Sequence, residues 1–111
     1  MRIKWLEVAL DSLFAEAEYI SQDNPAAADR TVAAILNAVE ILKRFPASGR
    51  PGRVAGTREL VVSGTPYIVP YRVRDDTIEL LLVFHAARKW PNKSWRRRSA
   101  RPGTQKDSNR P

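Results

Sequence analysis

The sequence contains no cysteine and only one histidine, His85, among its 111 residues. The absence of cysteine excludes disulfides and thiol chemistry, and with a single histidine it also excludes a zinc site built from cysteine and histidine ligands. A chain without disulfides is typical of a reducing compartment such as the cytoplasm. Long apolar runs are missing too, so we expect neither a signal peptide nor a membrane-spanning helix.

The length limits the chain to one domain with a core of modest size. We predict this domain over residues 1–92 and a basic tail over residues 93–111. In that tail Trp95 is the only large apolar residue among arginine, lysine, serine, glycine and proline. Such a composition buries too little apolar surface to offset the loss of chain entropy, so the tail is predicted to be disordered.

The net charge of +7 is distributed unevenly along the chain. The tail carries seven basic residues and one acid, residues 7–45 have a net charge of −4, and residues 46–90 have a net charge of +3. A basic surface attracts polyanions and raises their local concentration. We therefore expect a nucleic acid or an acidic protein as partner, and solubility is the simpler alternative.

Two helical patterns follow a short strand predicted at residues 1–6. The first helix has an apolar stripe at three- and four-residue spacing, made of Leu10, Leu13, Phe14, Ala17 and Ile20. The second is predicted from Pro25 to Arg44, because asparagine at position 24 is a good N-cap and proline is favoured at the first helical position. Pro46 ends it. The short break between the two patterns predicts an antiparallel helical hairpin.

Three strand-like runs make up the second half of the chain. A loop rich in glycine and proline at 47–57 precedes runs at 58–62, 67–74 and 77–85. This order predicts an α+β fold in which an N-terminal strand joins the edge of a three-stranded antiparallel meander and the helical hairpin covers one face. Pro70 lacks the N–H that a central strand needs, so we expect a bulge, local mispairing or an edge position there.

Strand alternation assigns side chains to the sheet face that the helices leave open. The even-numbered apolar residues at 78–84 are expected to face the helices, which turns His85 outward. The same reasoning puts Glu59 and Arg72 on the open face. Together they could accept a proton, hold phosphate oxygens and donate a proton, so the sequence predicts a set that handles phosphodiesters. The alternatives are that Glu59 pairs with an arginine across the sheet and that the histidine is structural.

Four segments carry a resemblance to a known toxin family. They lie at 49–54, 56–61, 66–73 and 84–91. In their order, their spacing and their position in the body of the chain, they resemble the RelE/ParE toxins of type II toxin–antitoxin systems. The similarity is greatest to the RelE/StbE, or plasmid-stabilisation, branch.

This resemblance implies a toxin that a small antitoxin protein neutralises within a hetero-oligomer. Two activities are known in the family. RelE-like members cut messenger RNA on the ribosome, with the RNA 2′-hydroxyl attacking the adjacent phosphate, whereas ParE-like members poison DNA gyrase. No metal, organic cofactor or membrane is implied.

For RNA cleavage, the resemblance implies that Glu59 is the general base, Arg72 binds the scissile phosphate and His85 is the general acid. It also implies supporting contacts to the nucleic-acid backbone and one stacked base, from Arg50, Arg53, Arg58, Arg88 and Trp90.

The sequence also departs from the RelE-like pattern. Several RelE-like enzymes carry a catalytic tyrosine near the C-terminus, but no tyrosine follows Tyr71 here, and a lysine cluster of some members is missing. Our first hypothesis is a ribosome-dependent endoribonuclease. The alternatives are a gyrase poison that acts by binding, and a degenerate toxin that only binds its antitoxin.

Overall fold

The computed structural model describes residues 1–87. Arg88, Trp90 and the tail predicted at 93–111 lie outside the described residues. The elements, in chain order, are β1 (Arg2–Trp5), α1 (Glu7–Asp23), α2 (Pro25–Ile41), β2 (Arg50–Pro51), β3 (Arg58–Val61), β4 (Tyr67–Arg74), β5 (Thr77–Leu80) and β6 (Phe84–His85). The predicted order of one strand, two helices and a group of strands is confirmed.

The start of α2 follows the predicted capping pattern. The Asn24 side chain accepts a hydrogen bond from the backbone N–H of Ala27 at 3.0 Å, and Pro25 is the first helical residue. The helix ends at Ile41, earlier than predicted, and the chain continues through hydrogen-bonded turns. Neither helix of the described part is long and apolar enough to cross a membrane.

The strands form one mixed sheet in the order β1-β5-β4-β3-β2, with β6 also pairing with β4. β1 runs parallel to β5 at one edge, and the other pairs are antiparallel. Asp75, with φ of 54°, adopts the left-handed conformation that the tight turn between β4 and β5 requires. The α+β fold with the N-terminal strand at an edge is therefore confirmed.

The helical hairpin covers one face of this sheet. The main core lies between them and is built from alternate residues of β4 and β5 together with apolar residues of both helices, among them Ala9, Leu13, Ile35, Val39, Val69, Tyr71, Ile78 and Leu80. We call the opposite side of the sheet the outer face. It carries a second, smaller apolar cluster of Ile68, Leu81, Leu82 and Phe84.

The pairing of β4 with the last two strands contains one extra residue. Leu80 of β5 pairs with Tyr71. Phe84 of β6 pairs with Ile68. The three residues 81–83 therefore stand opposite only two residues of β4, which is the arrangement of a β-bulge.

The bulge lies opposite Pro70, where the sequence predicted a bulge or local mispairing. Proline has no N–H to donate on the β5 side, so regular pairing is interrupted there, whereas the pairing with β3 continues through Pro70 opposite Glu59. Only its carbonyl takes part, accepting the N–H of Leu81 at 2.9 Å. An extra residue in one strand moves every following side chain to the other face.

This change of face contradicts part of the sequence analysis. Phe84 and Leu82 were expected to face the helices, but both belong to the outer-face cluster. Val83 was expected to face away and instead lies in the main core. His85 was expected on the outer face, and it lies opposite Tyr67, a residue of the main core.

The loop at 46–57 is fixed to the helix-covered side of the sheet by Tyr71. The Tyr71 hydroxyl donates to the carbonyl of Pro46 at 2.8 Å and accepts the N–H of Gly49 at 2.9 Å. A Cβ on Gly49 would lie 2.6 Å from the Tyr71 hydroxyl oxygen and 2.9 Å from the carbonyl oxygen of Glu59, so only glycine fits. Burial raises the pKa of Tyr71, although the Gly49 hydrogen bond and the Arg58 charge oppose the shift.

Replacing Tyr71 by phenylalanine should lower the free energy of unfolding by about 1–2 kcal/mol, because the buried N–H of Gly49 and the partly buried carbonyl of Pro46 lose their partner. Denaturant unfolding measures this. The control is Tyr19→Phe at a side chain that is 64% exposed, which should stay within about 0.5 kcal/mol of the parent. Equal losses for the two variants would show that the Tyr71 hydroxyl does not hold the loop.

The same variant tests the raised pKa. The folded protein favours the neutral phenol, so the Tyr71 contribution is complete below the ordinary tyrosine pKa of 10.0 and is lost as pH rises through the folded value. The stability difference between the parent and Tyr71→Phe should therefore shrink as the pH rises above 10.0. If the difference in unfolding free energy between the two proteins stays constant across the alkaline range, the pKa of Tyr71 is not raised by folding.

Candidate functional site

Two rows of polar and charged residues cross β1, β5 and β4 on the outer face. The strand registers place them side by side as Lys4, Glu79 and Arg72 in one row and Arg2, Thr77 and Arg74 in the next. One carboxylate thus stands among four cationic residues. We call Arg2, Lys4, Arg72, Arg74 and Glu79 the outer-face charge cluster.

Arg72 lies on the outer face, as strand alternation predicts, and its guanidinium is engaged by Glu79. Its Nε donates to Glu79 Oε1 at 2.5 Å, and Nε of Arg74 lies 3.8 Å from the same oxygen. The side chains of Arg72 and Glu79 are only 21% and 12% exposed, whereas that of Arg74 is 64% exposed. The cluster therefore combines a largely buried ion pair with exposed cations around it.

Glu59 also lies on the outer face, but the loop at 46–57 covers it, so the residue is only 1% exposed. Its Oε1 accepts a hydrogen bond from Nε of Arg50 at 3.1 Å and forms an ion pair with Nη2 of the same residue at 3.0 Å. Its Oε2 accepts the backbone N–H of Arg53 at 3.2 Å and lies 3.6 Å from Nε of the same residue. Both carboxylate oxygens hold the loop. One partner, Arg50 of β2, is also the cross-strand neighbour of Glu59, so Glu59 does pair with an arginine across the sheet, although with neither Arg58 nor Arg72.

The loop arginines have structural contacts of their own. The guanidinium of Arg53 lies 5.9 Å from the ring centre of Phe84, within the range of a cation–π interaction. Arg58 points to the side opposite Glu59, and its Nη1 donates to the carbonyl of Gly49 at 2.8 Å. Arg58 is therefore separated from Arg72 by the sheet, whereas Arg50 and Arg53 stay about half exposed at the rim of the outer face.

His85 lies on the helix-covered side of the sheet. Its ring meets Tyr67 edge to face, with the ring centres 5.4 Å apart, and its Nδ1 accepts the N–H of Ala87 at 3.1 Å. The hydroxyl of Tyr67 in turn donates to Glu16 at 3.0 Å. The predicted grouping of Glu59, Arg72 and His85 on one surface is therefore wrong for the histidine, because the bulge reverses its direction.

The cluster contains residues that the sequence analysis did not single out. Glu79 follows from alternation once Arg72 is placed outward, since the two residues are cross-strand neighbours. Arg2 and Lys4 could be found only by knowing the register of β1 against β5. Within residues 1–87, no group of three or more metal-ligating side chains is close enough to hold a metal ion.

Comparisons with known proteins agree on one family. Residues 3–90 match the family described as ParE toxin of type II toxin-antitoxin system, parDE. The chain is 51% identical over 90 residues to Y4kP of Sinorhizobium fredii, a protein named as a toxin, covering 81% of this chain and 93% of that protein. It is 37% identical over 87 residues to toxin RelE2 of Caulobacter vibrioides, covering 78% and 97%. A solved chromosomal ParDE system from P. aeruginosa contains a chain that matches with a TM-score of 0.69 at 30% identity, covering 77% of this chain and 95% of that one.

Replacing Glu59 by glutamine should lower the free energy of unfolding by about 1–3 kcal/mol, because a neutral amide cannot satisfy two arginines with its single oxygen. Chemical denaturation near neutral pH measures the loss. Glu40→Gln is the matched control, since Glu40 pairs with Lys43 on the surface and its side chain is 62% exposed. That variant should stay within about 0.5 kcal/mol of the parent. Similar small losses in both would show that Glu59 does not hold the loop.

Proposed function

We propose that this chain, which belongs to the ParE toxin family of type II toxin–antitoxin systems, poisons DNA gyrase by binding to it and is neutralised by a cognate antitoxin protein. The observation that carries this choice over RNA cleavage is the position of His85 across the sheet from Arg72.

Cleavage of RNA by acid–base catalysis needs a proton donor near the phosphate. A general acid must lie within hydrogen-bond reach of the leaving oxygen, directly or through one water molecule. A phosphate held by Arg72 would sit on the outer face, and the imidazole of His85 points to the helix side. The backbone of β4 and its neighbours lies between them, so this pair does not form a common site.

Glu59, the predicted general base, already has other hydrogen-bond partners. Both oxygens of Glu59 already accept hydrogen bonds from loop donors, and the residue is almost completely buried. To take a proton from an RNA hydroxyl, it would first have to release Arg50 or Arg53 and open the loop. We therefore assign Glu59 to holding the loop and His85 to packing against Tyr67.

A toxin that acts by binding needs only a shaped and charged surface. The outer-face charge cluster offers one, because its four cationic residues exceed its single carboxylate and three of them, Arg2, Lys4 and Arg74, are exposed. DNA gyrase is the target that membership of the ParE branch suggests. The match of residues 3–90 to the ParE toxin family supports gyrase as the target.

Supercoiling by gyrase and cell-free translation, measured side by side with the purified full-length chain, test the proposal. We expect inhibited supercoiling and intact messages. His85→Asn should change the inhibition by no more than about twofold, because asparagine keeps an acceptor for the Ala87 N–H, whereas loss of a catalytic acid typically costs about 10²–10⁴-fold.

The opposite pattern would reject the gyrase proposal. Messages cut on the ribosome, unaffected supercoiling and a large loss of cutting in His85→Asn would together identify a ribosome-dependent endoribonuclease. Unfolding of each variant is measured in parallel, so that a loss of fold is not read as a loss of function. His85→Gln serves as the second variant if His85→Asn is unstable.

A further inference from the structure

The first helix, α1, carries charges of one sign only. Its 17 residues include five carboxylates and no basic residue. Four of these acids, Glu7, Asp11, Glu18 and Asp23, are exposed and form no ion pair within residues 1–87. Every glutamate of that part of the chain outside α1, by contrast, pairs with a lysine or an arginine. The counter-charges of α1 therefore have to come from outside the described residues.

Exposed aromatic rings lie among these carboxylates. Phe14 is 64% exposed, and its spacing of three and four residues from Asp11 and Glu18 puts the three side chains on one side of the helix. The last turn contains Asp23 and no basic residue, although the helix dipole favours cations at this end. Carboxylates beside an aromatic ring suit arginine, because a guanidinium pairs with the former and stacks on the latter.

The described part of the chain ends beside this helix. The Oγ of Ser12 in α1 accepts the N–H of Val83 at 2.9 Å. Tyr67, which pairs with β6, donates from its hydroxyl to Glu16 of α1 at 3.0 Å. β6 ends only two residues before Ala87, the last described residue. The chain therefore continues from a point next to α1, on the helix-covered side of the sheet.

We propose that residues 88–111, which we call the basic segment, bind back onto α1, with their arginines and lysines against its exposed carboxylates and Phe14. The basic segment contains nine basic residues and one acid, so its charge is opposite to that of the helix. Such a contact needs no regular structure in the segment, because the attraction comes from the summed charges.

The covalent link makes this contact possible even if each ion pair is weak. A tethered segment is present at an effective concentration in the millimolar range, and several weak pairs then act together. The length is sufficient, because 24 residues reach about 80 Å when extended, whereas a helix of 17 residues is about 25 Å long.

Other pairings of these surfaces are less favourable. The outer-face charge cluster has an excess of cations and repels the basic segment, and α1 repels a nucleic acid. The outer face of a second copy could bring cations to α1, but it lacks the advantage of the covalent link. The inference does not depend on the target of the toxin, because it concerns contacts within one chain.

The absence of cysteine allows a single nitroxide label to be attached in the full-length variant Ser99→Cys. At about 0.05 M salt the label should broaden the amide signals of α1, most strongly between Asp11 and Asp23. At about 1 M salt this broadening should be largely lost, because the Debye length falls from above 10 Å to about 3 Å.

Charge reversal on the helix provides the matched comparison. Glu18→Lys together with Asp23→Lys should reduce the broadening of the α1 signals at least about twofold, because both exposed carboxylates become cations. Glu40→Lys makes the same kind of change at an exposed carboxylate near the end of α2 and should leave the broadening nearly unchanged.

A variant of the basic segment tests the same contact without altering the helix. Arg96→Gln, Arg97→Gln and Arg98→Gln are combined in one chain, and all three lie beyond residue 90, where the match to the toxin family ends. At low salt the α1 amide shifts of this variant should move towards those that the parent shows at high salt. This variant replaces the charge reversal if the latter unfolds the protein.

The inference is overturned if the α1 signals stay sharp at low salt, if their broadening is unaffected by salt, or if Glu40→Lys acts as strongly as the double reversal. A mixed sample, in which spin-labelled chains carry no isotope and isotope-labelled chains carry no spin label, separates contacts within one chain from contacts between copies. We expect no broadening in the mixture. Broadening there as strong as in the single sample would mean that a second copy, and not the chain's own segment, covers α1.

Discussion

A missing hydrogen-bond donor at Pro70 determines which side chains share a surface in this sheet. Because proline cannot donate to β5, the neighbouring chain inserts one extra residue and resumes pairing at Phe84. From that point the alternation of side chains between the two faces is reversed. Phe84 therefore lies on the outer face, and His85 points towards the helices. The missing backbone N–H of Pro70 thus places His85 on the face opposite the charged residues. In a regular strand His85 would lie on the same face as these residues.

The second constraint is the loop at 46–57, which is held from both sides of the sheet. Tyr71 binds it on the helix-covered side, and Glu59 binds it on the outer face. The two anchors lie on adjacent strands, and Gly49 passes between them with no room for a side chain. A buried carboxylate is normally costly, and here the loop arginines offset that cost while keeping about half of their own surface in water.

Much of the fold could be predicted from local patterns, and the candidate site could be predicted only in part. Helix periodicity, the Asn24–Pro25 cap and the break at Pro70 each act over a few residues, so the sequence displays them directly. The face of His85 could not be read, because residues 80–84 are all apolar and carry no alternation that would reveal the inserted residue. The partners of Glu59 depend on how the loop returns to the sheet, and the position of Lys4 depends on a parallel register. Both are non-local, and no pattern of neighbouring residues encodes them.

The outer face is therefore better suited to binding than to proton transfer. Glu79 sits at the centre of the cationic rows and pairs with Arg72, which lowers the repulsion among the arginines without cancelling the positive charge of the surface. Exposed cations do not stabilise one another. An anionic group that approaches them gains favourable electrostatic energy and does not have to break an existing ion pair. A surface arranged in this way needs no titratable group near neutral pH to act.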